Sequence, residues 1–459
     1  MPVAVAEAAP TYSAAPSTNP ALAKRHANPE VANFWWVAWH QIFLRVGWIF
    51  KTESVVVPTF LDFVGGGPIM RGFLMVLSRL GTSVPPVLCA RRLKIAPLKK
   101  RSTAWSAIGM AAPLALLAIV WWSGIWQTAD GSAAAWMPWL FLVMYAIFFA
   151  MTGLNSQSCS ALQGKLVPVT ARGRLYTATV IVGSPIAIWA AWYWLGPWLA
   201  NPLTGFTPIF VAAAVIFALG GLVILGSREE PDAFKQLPQS PWRQLRDAGS
   251  IVRSDPNFRP LAVLAILFSA SAMLFPHYAA LGRDRLGIDF GDLVLLVCVQ
   301  NGAIAVLGLF AGPLADRFGN RAALQFTVLG TAIGPVVALG LAHLAPQVGH
   351  EWYWLAFIPL GFTPVTQRLL INYTLEVAGR EDHPRYIAAL GLCLAIPVVI
   401  FSPLVGLMIK LLGFDAAFLL VTVALAAASV QSIRIPEPRH LLPLSVEKNP
   451  IPAKQPLAA

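Results

Sequence analysis

Long apolar runs recur along the chain from residue 34 to residue 434, separated mostly by short polar connections, and this pattern constrains the fold more than any other feature. A helix that crosses a bilayer needs about 20 apolar residues, and the runs are long enough for about twelve such spans. Composition agrees, since 57% of the 459 residues are hydrophobic and 12% charged, with a mean hydropathy of +0.65, well above an average soluble domain. The fold class expected is all-α, an integral membrane protein embedded in the lipid bilayer.

Lysine and arginine outnumber aspartate and glutamate by 33 to 21. A basic excess can mark a nucleic-acid partner, but here the basic residues sit in the connections, where the positive-inside rule places them. No nucleic acid is therefore expected. The connection with Arg91, Arg92, Lys94, Lys99, Lys100 and Arg101 carries the strongest orientation signal and is expected in the cytoplasm. Gly131 to Ala135 and Asn201 to Thr207 contain no Lys or Arg and are assigned to the opposite side. Both termini are then cytoplasmic, in a multi-pass protein of the cell (inner) membrane.

Residues 1–33, rich in Ala, Pro, Ser and Thr, are expected as a disordered cytoplasmic tail. Residues 34–226 form a first bundle. Over 227–259 the apolar character stops at Pro238, Pro241, Arg243, Arg246 and Arg253, which reads as a cytoplasmic linker with one surface helix. A second bundle follows over 260–434, and a proline-rich tail over 435–459. Cys89, Cys159, Cys298 and Cys393 lie in the runs or at their ends without paired or metal-ligand spacing, so free thiols and no metal site are expected.

The stretch Gly312 to Leu324 reads as a charged hairpin turn between two spans. Gly312 and Gly319 let the backbone bend, and Asp316, Arg317 and Arg321 are too costly to leave in hydrocarbon. Here the chain resembles the Major Facilitator Superfamily of secondary transporters. The family signature, roughly G-x-L-a-D-r-x-G-r-k, is matched at Gly312, Leu314, Ala315, Asp316, Arg317, Phe318, Gly319 and Arg321, with Asn320 a departure. Pro403, Gly406, Gly413 and Phe418 look like the family's passage from span eleven to span twelve. A weak internal repeat relates Gly153 to Tyr176 with Gly361 to Tyr386. The first-half counterpart of the signature, Leu88 to Arg101, keeps the basic residues but has no Asp and neither glycine.

The resemblance implies two pseudo-symmetric six-helix bundles rocking around a central site, with a small-molecule substrate and a monomeric state. It also implies that Asp316 meets the N-terminal end of span five, near Arg174, when the cytoplasmic side is closed. No nucleophile elbow, phosphate loop or HExxH pair occurs, so neither an enzyme nor a cofactor is expected.

An ionisable side chain deep in a span costs about 2.5 to 3.5 kcal/mol on insertion scales and marks a pathway or a partner. The first two spans hold Arg45, Lys51, Glu53, Arg71 and Arg79. At 1.5 Å per residue Lys51, Glu53 and Arg79 fall near mid-membrane, and Glu53 with Arg79 is the expected pair. On a continuous helix Lys51 lies about 120° to one side of Arg45 and Glu53 about 80° to the other, so the three cannot share one cavity. In the second half Gln300, Asn301, Gln367 and Arg368 could line the pathway or serve as interhelical hydrogen bonds. His277 is read as interfacial. The surplus of Arg and Lys over Glu predicts a positive first-half cavity, hence an anionic or zwitterionic organic solute moved with protons. The rival is a non-transporting protein of the same fold, an assembly factor or sensor for lipids, pigments or membrane partners, which the missing first-half Asp favours.

Overall fold

The computed structural model describes residues 29–232, 241–378 and 382–437. Nearly all regular structure among them is helical, apart from one isolated bridge between Gln127 and Ala133. Nine of the helices are long and apolar enough to cross a membrane. The first half comprises α1 (Pro29–Ile49), α2 (Val56–Phe63), α3 (Pro68–Ile95), α4 (Lys99–Trp122), α5 (Met137–Leu166) and α6 (Val169–Ala190). A π-helical turn, Ala191–Leu195, extends α6 into α7 (Gly196–Ala200), and α8 (Pro202–Ile224) ends the half. After α9 (Pro241–Ser254) come α10 (Arg259–Phe268), α11 (Ala270–Leu286), α12 (Leu293–Ala342), α13 (Pro346–Trp352), α14 (Phe362–Val377) and α15 (His383–Arg434).

Two of these helices are twice the length a bilayer needs, and each is interrupted at one glycine. Gly319 in α12 has φ 90° and Gly413 in α15 has φ 81°, a region costly for any residue with a Cβ. The chain reverses at both points. Asp292, just before α12, pairs at 3.2 Å with His350, just after it. Both ends of α15 likewise meet the start of α10, through Tyr386 with Asp255 at 2.5 Å and Gln431 with the Pro260 carbonyl at 3.1 Å. The expected signature turn is therefore far shorter than Gly312 to Leu324, because helix continues to Phe318 and resumes at Asn320.

Span one departs from its expected course at both ends of α1. The helix starts at Pro29, five residues before the expected bundle, and Asn33 is tied in by two hydrogen bonds with the backbone of Arg228, at 2.7 and 2.9 Å. At the other end residues 50–55 are not helical. This is where Thr52, Ser54 and the β-branched run Val55 to Val57 weaken helix propensity, and the Thr52 hydroxyl accepts the Val56 N–H at 3.2 Å. The continuous-helix reading of Arg45, Lys51 and Glu53 is overturned, since the last two sit on the break.

A knot of rings fills the first half, with Phe60 within 5.1 Å of Trp121, Phe141, Phe206 and Phe210. The outer faces are apolar as well: Trp105 is 71% exposed, Ile119 61% and Leu411 70%. In water such faces would drive association, and against acyl chains they are the lipid surface.

On the side of the basic connections, here the loop side, a carboxylate of the linker caps a first-half helix. Glu229, two residues into the expected linker, accepts the backbone N–H groups of Lys99 and Lys100 at 2.9 and 2.8 Å, capping α4 at its positive end. In the second half Asn320 donates to Glu376 at 2.7 Å, Arg321 donates to the Ile433 carbonyl at 2.8 Å, and Tyr373 donates to the Pro436 carbonyl at 2.5 Å. Ile435 is buried, so the first residues of the expected second tail belong to the bundle. The remaining residues of both expected tails, 1–28 and 438–459, lie outside the described residues.

Candidate functional site

Two cavities lie end to end between the halves and share Ile304 and Pro364. The inner one, about 300 Å³, is lined by Thr52, Glu53 and Ser54 from the break in span one, by Ser78, Arg79 and Thr82 from α3, and by Gln300, Asn301 and Gln367 from α12 and α14. A vestibule of about 730 Å³ continues from it to the loop side, lined by Arg45, Tyr176, Arg368, Gly312 and Asp316 among others. Residues more than 300 positions apart thus meet in one place. Broken helices at a repeat interface are where transporters expose polar backbone and side chains to a solute.

The expected Glu53–Arg79 ion pair is not formed. Glu53 pairs instead with Lys51, whose Nζ lies 3.1 Å from Oε1. The reason is the non-helical break, which lets side chains two positions apart meet. Lys51 itself lines neither of these cavities. Its ammonium, 3% exposed as a residue, sits 3.3 Å from the centre of the Trp48 ring, 4.2 Å from Phe149 and 4.9 Å from Phe148, so the rings take the place of water around it. Arg79 lines the inner cavity with Glu53 and has no ion pair of its own among the described residues. Ser54 donates to Gln300 across the halves, while Asn301 bonds the Val297 carbonyl in its own helix at 2.9 Å.

The signature residues divide. Gly312 and Asp316 line the vestibule, Arg317 lies 5.2 Å from the Phe318 ring, and Gly319 and Arg321 organise the turn and its contact with α15.

The opposite, far side is shut by residues that sequence reasoning missed or placed in another role. Asp62 at the end of α2 accepts Arg71 of α3 at 2.7 Å and also Arg283 of α11, so one carboxylate joins the halves. Asp62 is the only acidic residue in the apolar run 54–66, a signal that could have been weighed. Close backbone packing completes the seal. The Ser402 hydroxyl donates to the Gly72 carbonyl at 2.9 Å, and a Cβ on Gly72 would lie 2.5 Å from the Ser402 carbonyl oxygen. His277 is wholly buried beneath this region and not interfacial, with neither ring nitrogen hydrogen-bonded.

Replacing Asp62 by Asn removes the charge that holds two guanidiniums together. An uncompensated buried charge costs about 3 to 5 kcal/mol, which opening of the far side relieves. Asp62→Asn is expected to raise far-side labelling of a cysteine placed at Thr52 by at least about tenfold. Unchanged labelling would show that the seal does not depend on this carboxylate.

The Major Facilitator Superfamily model matches the chain twice, over residues 54–364 and 284–458. A curated relative, the cis,cis-muconate transport protein of Acinetobacter baylyi, is 26% identical over 201 residues, 40% of this chain and 47% of that one. The chain thus spans about half the length of the curated relative it matches. Among solved structures it resembles the D-xylose-proton symporter, with a TM-score of 0.64 at 14% identity over 88% of this chain and 98% of that one. It also resembles the nucleoside transporter NupG, at 0.63 and 12% over 89% and 99%. Solved structures at such identity establish the fold, and the family model establishes the lineage: this chain is a member of the Major Facilitator Superfamily of transporters.

Proposed function

We propose that the protein carries a small organic anion across the cell (inner) membrane together with protons, by alternating access. The observation that carries this is Arg79, a guanidinium with no ion pair among the described residues, lining a cavity between the halves beside Glu53. Lys51 and Arg79 share the single carboxylate of Glu53, and the net positive charge left over favours an anion entering the cavity. Muconate, for which the relative is named, is an organic dianion, and one fold neighbour is a proton symporter. Glu53 is the proton site in this reading. An anion on Arg79 places a second negative charge next to Glu53, a proton relieves the repulsion, and substrate and proton load together.

The basic connections assign the loop side to the cytoplasm, with both termini there. The conformation is then inward-facing, its vestibule open to the cytoplasm and its far side held by Asp62, and a monomer of twelve spans suffices. Asp316 at the vestibule wall is the group that would meet span five on closure. The rival reading, a non-transporting assembly factor or sensor, rested on the first-half loop. The charges of Glu53 and Arg79 at the inner cavity, which serve no evident structural purpose, count against it.

Purified protein in proteoliposomes should show saturable uptake of muconate or of simple carboxylates, accelerated several-fold by an outside-acid gradient. Absence of saturable flux for every organic anion, in protein that still binds one, would favour the non-transporting reading.

A further inference from the structure

We infer that the substrate is a dicarboxylate, its second carboxylate held in the vestibule between Arg45 and Arg368, one guanidinium from each half. This rests on the organic-anion reading above and specifies it.

Three side chains make the subsite. Arg368 of α14 stacks on Tyr176 of α6 with its Cζ 3.7 Å from the ring centre. Arg45 of α1 is fixed by donating to the Ser184 hydroxyl at 3.0 Å, and it shares the vestibule wall with Tyr176 and Arg368. Neither guanidinium makes an ion pair among the described residues. Two like charges are therefore held near one ring with no fixed counter-charge. Stacking and a hydroxyl leave most of each guanidinium's N–H groups unused, and these suit a carboxylate in planar, forked geometry.

The acidic residues of the vestibule lie farther out. Along α14, Glu376 is two turns or about 12 Å beyond Arg368, and its Oε1 accepts Asn320 at 2.7 Å. Along α12, Asp316 is two turns, again about 12 Å, beyond Gly308, where a Cβ would lie 2.9 Å from the Tyr176 hydroxyl.

The subsite continues into the inner cavity. Gln367, adjacent to Arg368, lines the inner chamber, as does Trp48, about one turn along α1 from Arg45. Arg79 and the Arg45–Arg368 pair are thus two cationic stations in series, separated by a passage at Ile304 and Pro364. A monocarboxylate is held at Arg79 and leaves the outer pair unmet. A dicarboxylate satisfies both, and its outer carboxylate neutralises the repulsion between guanidiniums of opposite halves, which must approach if the cytoplasmic side is to close.

The test is binding to the purified full-length chain of succinate, adipate and suberate against butanoate, hexanoate and octanoate. Wild type should bind at least one dicarboxylate about tenfold or more tightly than the monocarboxylate of equal length, the difference expected of one charge-assisted contact. Arg368→Gln and Arg45→Gln should each erase that preference while holding the monocarboxylate within about twofold, which also shows that the variants are folded. Arg368→Lys should retain part of it. If wild type shows no preference, or if Arg368→Gln weakens both classes alike, the vestibule subsite is wrong although anion binding stands. If no carboxylate of either class binds, both the subsite and the organic-anion reading fall.

Discussion

Glu53→Gln is expected to abolish uphill, pH-driven uptake while leaving counterflow exchange of preloaded substrate. Glutamine keeps the shape of the side chain and loses the exchangeable proton, so binding and rocking continue but the gradient no longer drives them. The variant should also be less stable. Lys51 loses its carboxylate partner at 3.1 Å while remaining caged by Trp48, Phe148 and Phe149. Removing one partner of a buried pair costs about 3 to 5 kcal/mol, of which ring contacts worth about 2 kcal/mol offset a part. The double variant Lys51→Met with Glu53→Gln should regain the stability and remain uncoupled. Thermal unfolding and paired uphill and counterflow assays read both effects. Accumulation by Glu53→Gln with the pH dependence of wild type would remove Glu53 from the proton path and leave it as the counter-ion of Lys51.

Gly72→Leu should trap the protein open on the far side. An added Cβ at Gly72 would stand 2.5 Å from the Ser402 carbonyl oxygen and 2.8 Å from Pro403 Cα, both backbone atoms that no rotamer change can move. Those atoms belong to the other half, so the strain is relieved by parting the halves rather than by unfolding one of them. Overpacking of this kind costs about 1 to 3 kcal/mol or more, roughly a ten- to hundredfold shift between the two states. Transport should fall at least as far, and far-side labelling of a cysteine at Thr52 should rise. Gly72→Ala should show a milder form of the same shift. Normal transport by Gly72→Leu would mean that α3 and α15 do not close on each other during the cycle.

Much of the protein was legible in its residues because the membrane makes the code simple. Hydrocarbon penalises every unpaired polar group, so run length marks spans, loop charge carries an orientation signal, and a charged residue inside a run marks a pathway. Glu53 and Arg79 stand out as charges on that ground, Gln300, Asn301 and Gln367 as polar groups that line a pathway or bond between helices, and the structure gathers all five around one cavity. The signature at Gly312 to Arg321 identified the lineage, although helix geometry leaves only Gly319 to make the turn.

What the residues alone did not decide is pairing. Run length predicts a span one from Phe34 towards Leu61, and weak helix formers at Thr52 to Val57 permit a break there, but only tertiary partners fix that it falls at 50–55. Glu53 was expected opposite Arg79 and is bound to Lys51, since a helical wheel assumes the helix that the break removes. Asp62 and Arg283 lie 221 positions apart and carry no local pattern that links them. Arg45 and Arg368 come together on Tyr176 only because two bundles face each other. Sequence determined the class of protein and which residues could carry charge into the membrane, through a solvent penalty that acts on each residue singly. Tertiary structure decided which charges neutralise one another and which remain for a ligand, because electrostatic pairing depends on distances of a few ångströms that only the packing of the two halves sets.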